Sequence, residues 1–170
     1  MPRVQACELP ADALLRRYAE QGAYTDCYTI EIDKPVSHEA YVKAFYTTAV
    51  FKLERLLLAW LVARPSTDEQ AKALAQVQAN EFAAWNVEAR GHDQLLMRDM
   101  TGRTRSWLMR AAAEGGATRL YFGSAVVPVV DRKTGQKHMG GLFRALQGFH
   151  RVYSHVLLRS AASRLRRSPG

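Results

Sequence analysis

Two residues near the end of the chain, His150 and Tyr153, combine usable chemistry with apolar neighbours. Three positions apart, they fall on or beside one stripe of a helix. A histidine there can shuttle a proton near neutral pH, and a tyrosine can donate or accept a hydrogen bond inside a cavity. The plainer account is a core pair whose polar atoms meet backbone partners, and it outweighs the functional one. Tyr28, Trp85, Trp107, Tyr121 and Phe122 stand on strand-like stretches as candidate cavity walls. Aromatic residues at strand spacing more often pack a core. Alternation puts Tyr121 and Phe122 on opposite faces, so at most one of them lines a cavity. Arg98, Arg105, Arg110 and Arg119 recur through the same region. An inward guanidinium could hold a ligand carboxylate or phosphate, but the preferred expectation turns most of them outward on the sheet's free face.

Other chemistries fail on spacing. The five histidines, His38, His92, His138, His150 and His155, form no H-x-x-x-H or HExxH pair, so no metal site is expected. No P-loop, Rossmann glycine fingerprint or GxSxG elbow occurs, and no cofactor is expected. Ser106 and Ser124 read as ordinary strand serines with no evident base partner. Cys7 and Cys27 lack metal-ligand spacing and read as reduced structural thiols. A redox pair would need a bridging distance that sequence does not show.

The elements that must position these residues begin with the last one. From Gly140 to Arg167, Leu142, Leu146, Phe149, Tyr153 and Leu157 recur at steps of three or four, with Phe143, His150 and Val156 at the stripe's edge. Arg144, Arg151, His155, Arg159 and Arg166 fall opposite. Such a helix needs a broad apolar surface to lie on. Before it, alternation predicts strands over residues 85–90, 94–100, 104–113 and 118–130, joined by short glycine-containing turns into an antiparallel meander. Residues 131–135 read as a polar loop.

Earlier in the chain, residues 10–20 predict a short helix with Pro10 near its start and Gly22 past its end. Residues 24–32 alternate as a strand with Tyr28, Ile30 and Ile32 on one side. Ser37 offers an N-cap for a helix to about Thr47. A second helix carries Val50, Leu53, Leu57, Trp60 and Leu61 and stops at Pro65. Ser66-Thr67-Asp68-Glu69 matches a capping box for a weaker third helix to about Ala79.

A chain of 170 residues, 48% apolar and 24% charged, fits one domain spanning 1–170 and can bury a genuine core. Its longest apolar run, Leu56 to Ala63, is too short to cross a bilayer, and its start lacks the apolar core of a secretory signal. A cytoplasmic location is expected. The net charge of +8 raises nucleic acid or an anionic surface as partners. Arg159, Arg164, Arg166 and Arg167 also complement the end of a helix dipole, so a solvated face and tail is preferred. No RNP-like or helix-turn-helix motif supports nucleic acid. A homodimer is left open.

Strand, helices, antiparallel strands and a long closing helix make an order that resembles the helix-grip superfamily. That group includes START lipid-transfer domains, Bet v 1-like proteins and polyketide cyclases, and within it the chain looks most like a bacterial family of unknown function. The resemblance rests on LPADALL followed by YTDCYTIEI, on AFYTTAVFKLERLLLAWL, and on GGLFRALQGFHRVYSHVLLRSA, with Gly148-Phe149-His150-Arg151 its most recognisable piece.

The resemblance implies an α+β fold. A curved antiparallel sheet of about five or more strands would grip the C-terminal helix, with two or three helices after the first strand. A pocket between sheet and helix would take an apolar or aromatic small molecule, lipid- or polyketide-like, against Tyr28, Trp85, Trp107, Phe122, Leu146, Phe149, His150 and Tyr153. A cofactor-independent cyclase- or hydratase-like enzyme using His150 or Tyr153 as acid or base is the alternative. A basic interaction module for an acidic partner is the third reading.

Overall fold

The computed structural model describes residues 3–51, 67–130, 137–138 and 141–167, with side chains over 3–51, 67–128 and 151–167. Seven strands form one antiparallel sheet: β1 (Gln5–Ala6), β2 (Tyr24–Ile32), β3 (Glu81–Phe82), β4 (Trp85–Gly91), β5 (Gln94–Asp99), β6 (Thr104–Ala112) and β7 (Thr118–Val126). Their spatial order is β1-β2-β7-β6-β5-β4-β3. Strands β4 to β7 are the meander that alternation predicts, and β2 closes onto β7 along its whole length, from Tyr24 opposite Val126 to Ile32 opposite Thr118. Two short strands, β8 (Val129–Val130) and β9 (Lys137–His138), pair with each other.

The helices are α1 (Arg16–Glu20), α2 (His38–Tyr46), α3 (Asp68–Ala75) and α4 (Gly141–Arg167). Ser37 caps α2, its side chain accepting from the Ala40 N–H. The capping box of α3 sits one residue later than the sequence suggests, with Thr67 and Gln70 exchanging bonds in place of Ser66 and Glu69. Helix α3 stops at Ala75 rather than near Ala79. Arg90 reaches over from β4 and donates to the carbonyls of Leu74 in the last turn and of Ala79 beyond it. The expected helix over 10–20 shrinks to α1, because residues 10–16 close tight turns (Ala13 to Pro10, Arg16 to Ala13) in place of helical bonds. Residues 49–51 are helical. The rest of the expected second helix and the 131–135 loop lie outside the described residues.

Both faces of the sheet are buried, each by a different partner. On one face α4 packs against β2, β7 and α2, and the core there joins Tyr28, Ile30 and Ile32 to Leu108, Leu120 and Phe122 beneath Phe45, Leu158 and Ala161. The other face carries Cys27, Leu96, Trp107, Met109 and Ala125, covered by Ala13, Leu15 and Tyr18 from the N-terminal segment. Alternation explains the split: neighbours such as Leu108 and Trp107 point to opposite sides. A bulge between Val87 and Ala89 breaks this rule once. It sends Glu88 to the α1 side, where Arg17 and Arg105 pair with it and the Tyr18 hydroxyl donates to it.

Among the described side chains of α4, over 151–167, the buried ones are Ser154, Leu157, Leu158, Ala161, Ala162 and Leu165. Leu157 of the stripe read from sequence is buried and Tyr153 half-buried beside it. Val156 is 41% exposed, and His155, placed on the outer side by sequence, lies half-buried with its ring edge-on to Tyr28 at 4.8 Å. Ala161 and Ala162, both fully buried, let the last turns approach closely.

Candidate functional site

A cavity of about 180 Å³ lies between the sheet and α4. Phe122 of β7, Trp85 of β4, Phe45 of α2, Phe51 of the helical residues 49–51 and Leu157 of α4 form its apolar wall. Phe45 and Phe122 meet at 4.9 Å between ring centroids, so the wall is packed rather than loose. Two hydroxyls enter from the sheet. Ser106 on β6 and Ser124 on β7 are cross-strand partners, and Asp26 on β2 is the partner of Ser124. The three stand in one row across adjacent strands, on the face turned to α4.

Asp26 organises that row. Its Oδ1 accepts the Ser124 hydroxyl at 2.6 Å and the Ser124 N–H at 3.0 Å. Bonds to an ionised carboxylate are the stronger kind, so the serine rotor is fixed. The arrangement turns a serine that sequence treats as partnerless into an oriented dipole on the cavity wall. Among the described residues the Asp26–Ser124 pair therefore presents an oriented hydroxyl beside the cavity. Tyr153 brings a half-buried phenol to the opposite side.

Three of the expected wall residues, Trp85, Phe122 and Tyr153, converge here. Trp107 does not. It is fully buried on the other face, its indole N–H donating to Gln94 at 2.9 Å, because its position in β6 has the opposite parity to Ser106. Tyr28 faces α4 but lies outside the cavity lining, against His155. Burial, reinforced by the Asp26 charge and opposed by Arg151, pushes the Tyr28 phenol up to about 12. Leu146, Phe149 and His150 belong to α4, and their side chains lie outside the described residues. Sequence reasoning missed Phe45, Phe51 and Asp26. The signal for Asp26 was present, since it shares the parity of Tyr28, Ile30 and Ile32.

Of the meander arginines, Arg98 stays exposed while Arg105, Arg110 and Arg119 settle into ion pairs. Arg105 is 8% exposed and turns to the α1 face, where its Nε lies 2.6 Å from Glu88 and its guanidinium stacks over Tyr18 at 4.7 Å. Arg110 pairs with Asp93 at 2.6 Å and Arg119 with Glu31. The C-terminal cluster does docking work: Arg164 donates to the Thr47 carbonyl at 2.8 Å and Arg166 to that of Glu31 at 3.2 Å. No group of three or more His, Cys, Asp or Glu side chains fit to hold a metal occurs among the described residues, and no described helix is long and apolar enough to cross a membrane.

No family model matches the chain, and no curated protein matches it. Among solved structures it is similar to CalU16 from Micromonospora echinospora, at 12% identity and a TM-score of 0.41, over 100% of this chain and 86% of that one.

Proposed function

We propose that the chain is a helix-grip protein that binds an apolar or aromatic small molecule between its sheet and its C-terminal helix. The cavity under α4 carries this reading: a largely aromatic lining, with the Ser106 and Ser124 hydroxyls set into its sheet side and the Tyr153 phenol entering from α4. Ligand sites combine largely apolar walls with a few convergent polar groups in this way. An apolar cavity of about 150 Å³ accepts a benzene ring. The space bounded by Phe45, Trp85 and Phe122 therefore suits a single ring, or one ring of a larger lipid- or polyketide-like molecule, with a polar substituent meeting Ser106 and Ser124.

The test is a thermal-shift and tryptophan-fluorescence titration with phenols, indole, polycyclic aromatics and fatty acids. Trp85 sits in the wall and reports occupancy. A ligand at about one hundred times its Kd adds roughly 2.7 kcal/mol of stability. The Ser106→Phe substitution fills the cavity and should abolish the response. If no ring compound gives a saturable shift, or if the filled variant responds equally, the binding reading is wrong.

A cofactor-independent cyclase- or hydratase-like enzyme is the second reading, favoured by the Tyr153 phenol at the cavity. Tyr153→Phe should then keep ligand binding and lose turnover. Equal turnover in the variant would remove Tyr153 from any catalytic role.

A further inference from the structure

The two cysteines stand opposite one another at the edge of the sheet. Gln5 pairs with Thr29 and Ala6 with Tyr28, so the next step sets Cys7 against Cys27. The Cys7 N–H confirms this register by donating to the Cys27 carbonyl at 3.0 Å. Their Sγ atoms are 3.1 Å apart, with Cys7 half-buried and Cys27 buried. Directly opposed residues of antiparallel strands hold their Cα atoms about 4.5–5.5 Å apart, inside the roughly 4.4–6.8 Å span of disulfides. The strands therefore need no rearrangement to be bridged.

We propose that Cys7 and Cys27 form a dithiol that closes to an intramolecular disulfide by exchange with a low-molecular-weight disulfide. Access favours Cys7 as the first sulfur to react, because an open cleft bounded by Gln5, Glu8, Arg119 and Tyr121 reaches it. Cys7, having lost its proton, attacks one sulfur of the small disulfide. A mixed disulfide forms and one small thiolate leaves. Cys27 then gives up its proton and attacks the Cys7 sulfur, which releases the second small thiolate. The two protons end on the two departing thiols. Overall, the protein dithiol is oxidised by two electrons and the small disulfide is reduced to two thiols.

Burial pushes both thiols up, most strongly Cys27, so the exchange is slow at neutral pH and quickens as pH rises. The bridge closes a loop that contains α1. It pins the first strand to β2 at the position preceding Tyr28, and tightens the N-terminal segment that covers Trp107.

The experiment incubates fully reduced protein with excess oxidised glutathione between pH 7 and 9. Samples are trapped with N-ethylmaleimide and read by intact mass, peptide mapping and thermal melting. The expected product has lost two hydrogens, takes up no maleimide and links the peptides carrying Cys7 and Cys27. It should melt about 5–10 °C higher, as closure of a loop of this length in a domain of this size implies. Dithiothreitol should reverse the change, and the rate should rise with pH. Cys27→Ser should stop at a stable glutathione adduct on Cys7, and Cys7→Ser should gain no melting shift. The proposal is overturned if wild-type protein retains two maleimide-reactive thiols under conditions that oxidise the urea-unfolded chain. It is equally overturned by a persistent glutathione adduct on wild-type Cys7 or by disulfides only between chains. Should Cys27→Ser fail to fold, the wild-type and Cys7→Ser measurements decide alone.

Discussion

Replacing Gly123 by alanine tests how tightly the α1 face of the sheet is packed. Gly123 is central in β7, between Cys27 of β2 and Trp107 of β6. A Cβ there would stand 2.8 Å from the Asp26 carbonyl oxygen, 2.9 Å from Leu15 Cδ2 and 3.0 Å from Trp107 Cε3. None of the three can yield cheaply. The carbonyl belongs to the adjoining strand, Trp107 is tethered to Gln94, and Gln94 also accepts from the Leu14 N–H beside Leu15. Overpacking a filled core costs about 1–3 kcal/mol, and contact with fixed backbone argues for the upper end. Alanine recovers about 0.4–1 kcal/mol by restricting the unfolded chain. The clash therefore wins by roughly 2 kcal/mol, or about 4–8 °C in melting temperature for a domain of this size. Urea denaturation monitored by circular dichroism, with melting measured in parallel, gives the value. In Gly123→Ala/Leu15→Ala, one of three clashes is gone, so the double variant should lie above the sum of the single effects. A Gly123→Ala protein as stable as wild type would refute the reading of this face as close-packed.

Removing the charge of Arg105 by Arg105→Met should cost roughly 3 kcal/mol, because Glu88 and the Tyr18 hydroxyl lose a buried partner; denaturant titration measures it, and adding Glu88→Gln should restore part of the loss. His38 opens α2, and burial there, helped by Arg110 and Arg90 and opposed by Asp93, lowers it to about 4. An unfolded histidine titrates near 6.5, so between the two values the unfolded chain binds the extra proton. Stability should fall by up to roughly 3 kcal/mol as pH drops from about 6.5 to about 4, and His38→Gln should flatten that slope in melts taken across the range. Asp26→Ala strips the Ser124 hydroxyl and N–H of their shared acceptor and should cost about 2–3 kcal/mol, while Asp26→Asn, which keeps an acceptor oxygen, should cost about half as much by the same denaturation assay.

The period of two carried most of the sheet. It located β2 and β4 to β6 within a residue, while the strand expected over 118–130 ends at Val126, with residues 129–130 in the separate strand β8; a run such as Tyr28-Thr29-Ile30-Glu31-Ile32 leaves little choice of face. Strands β1 and β3 are two residues each, too short for any alternation to register. The parity that placed Phe122 on the cavity face also placed Ser124 there, yet a serine has no hydrophobic signal to draw notice. Trp107 was misjudged for a complementary reason. With both faces buried, an aromatic residue looks like a wall residue whichever way it points, and only the Cα partner of Gly123 and the indole bond to Gln94 settle its side. The buried face of α4 over 151–167 was read incompletely for the same reason. Ser154 is fully buried, and helical periodicity counted by apolar residues passes over it.

The sheet treats small residues on its two faces in opposite ways, and this contrast locates the cavity. On the α1 face the missing side chain of Gly123 is a socket, filled by Leu15 and the edge of Trp107 to within contact distance. On the α4 face, one residue along the same strand, Ser124 and its neighbour Ser106 leave a comparable deficit of volume. There the covering element is a helix with Tyr153 and Leu157 at that level, and the space between them stays open at about 180 Å³. An apolar deficit of that size ordinarily costs stability, since its lining loses contact partners. A fold that packs one side of β7 to the limit has the means to pack the other. Exchanging Ser106 for leucine should accordingly raise stability by about 1 kcal/mol, since the added methylenes enter existing space on a strand that already tolerates Leu108 two positions on. If the same exchange also removes ring binding, the open volume is retained for a guest at a measurable expense to the fold; a Ser106→Leu protein that is destabilised would show instead that the row of hydroxyls, and not the space before it, is what the sheet requires.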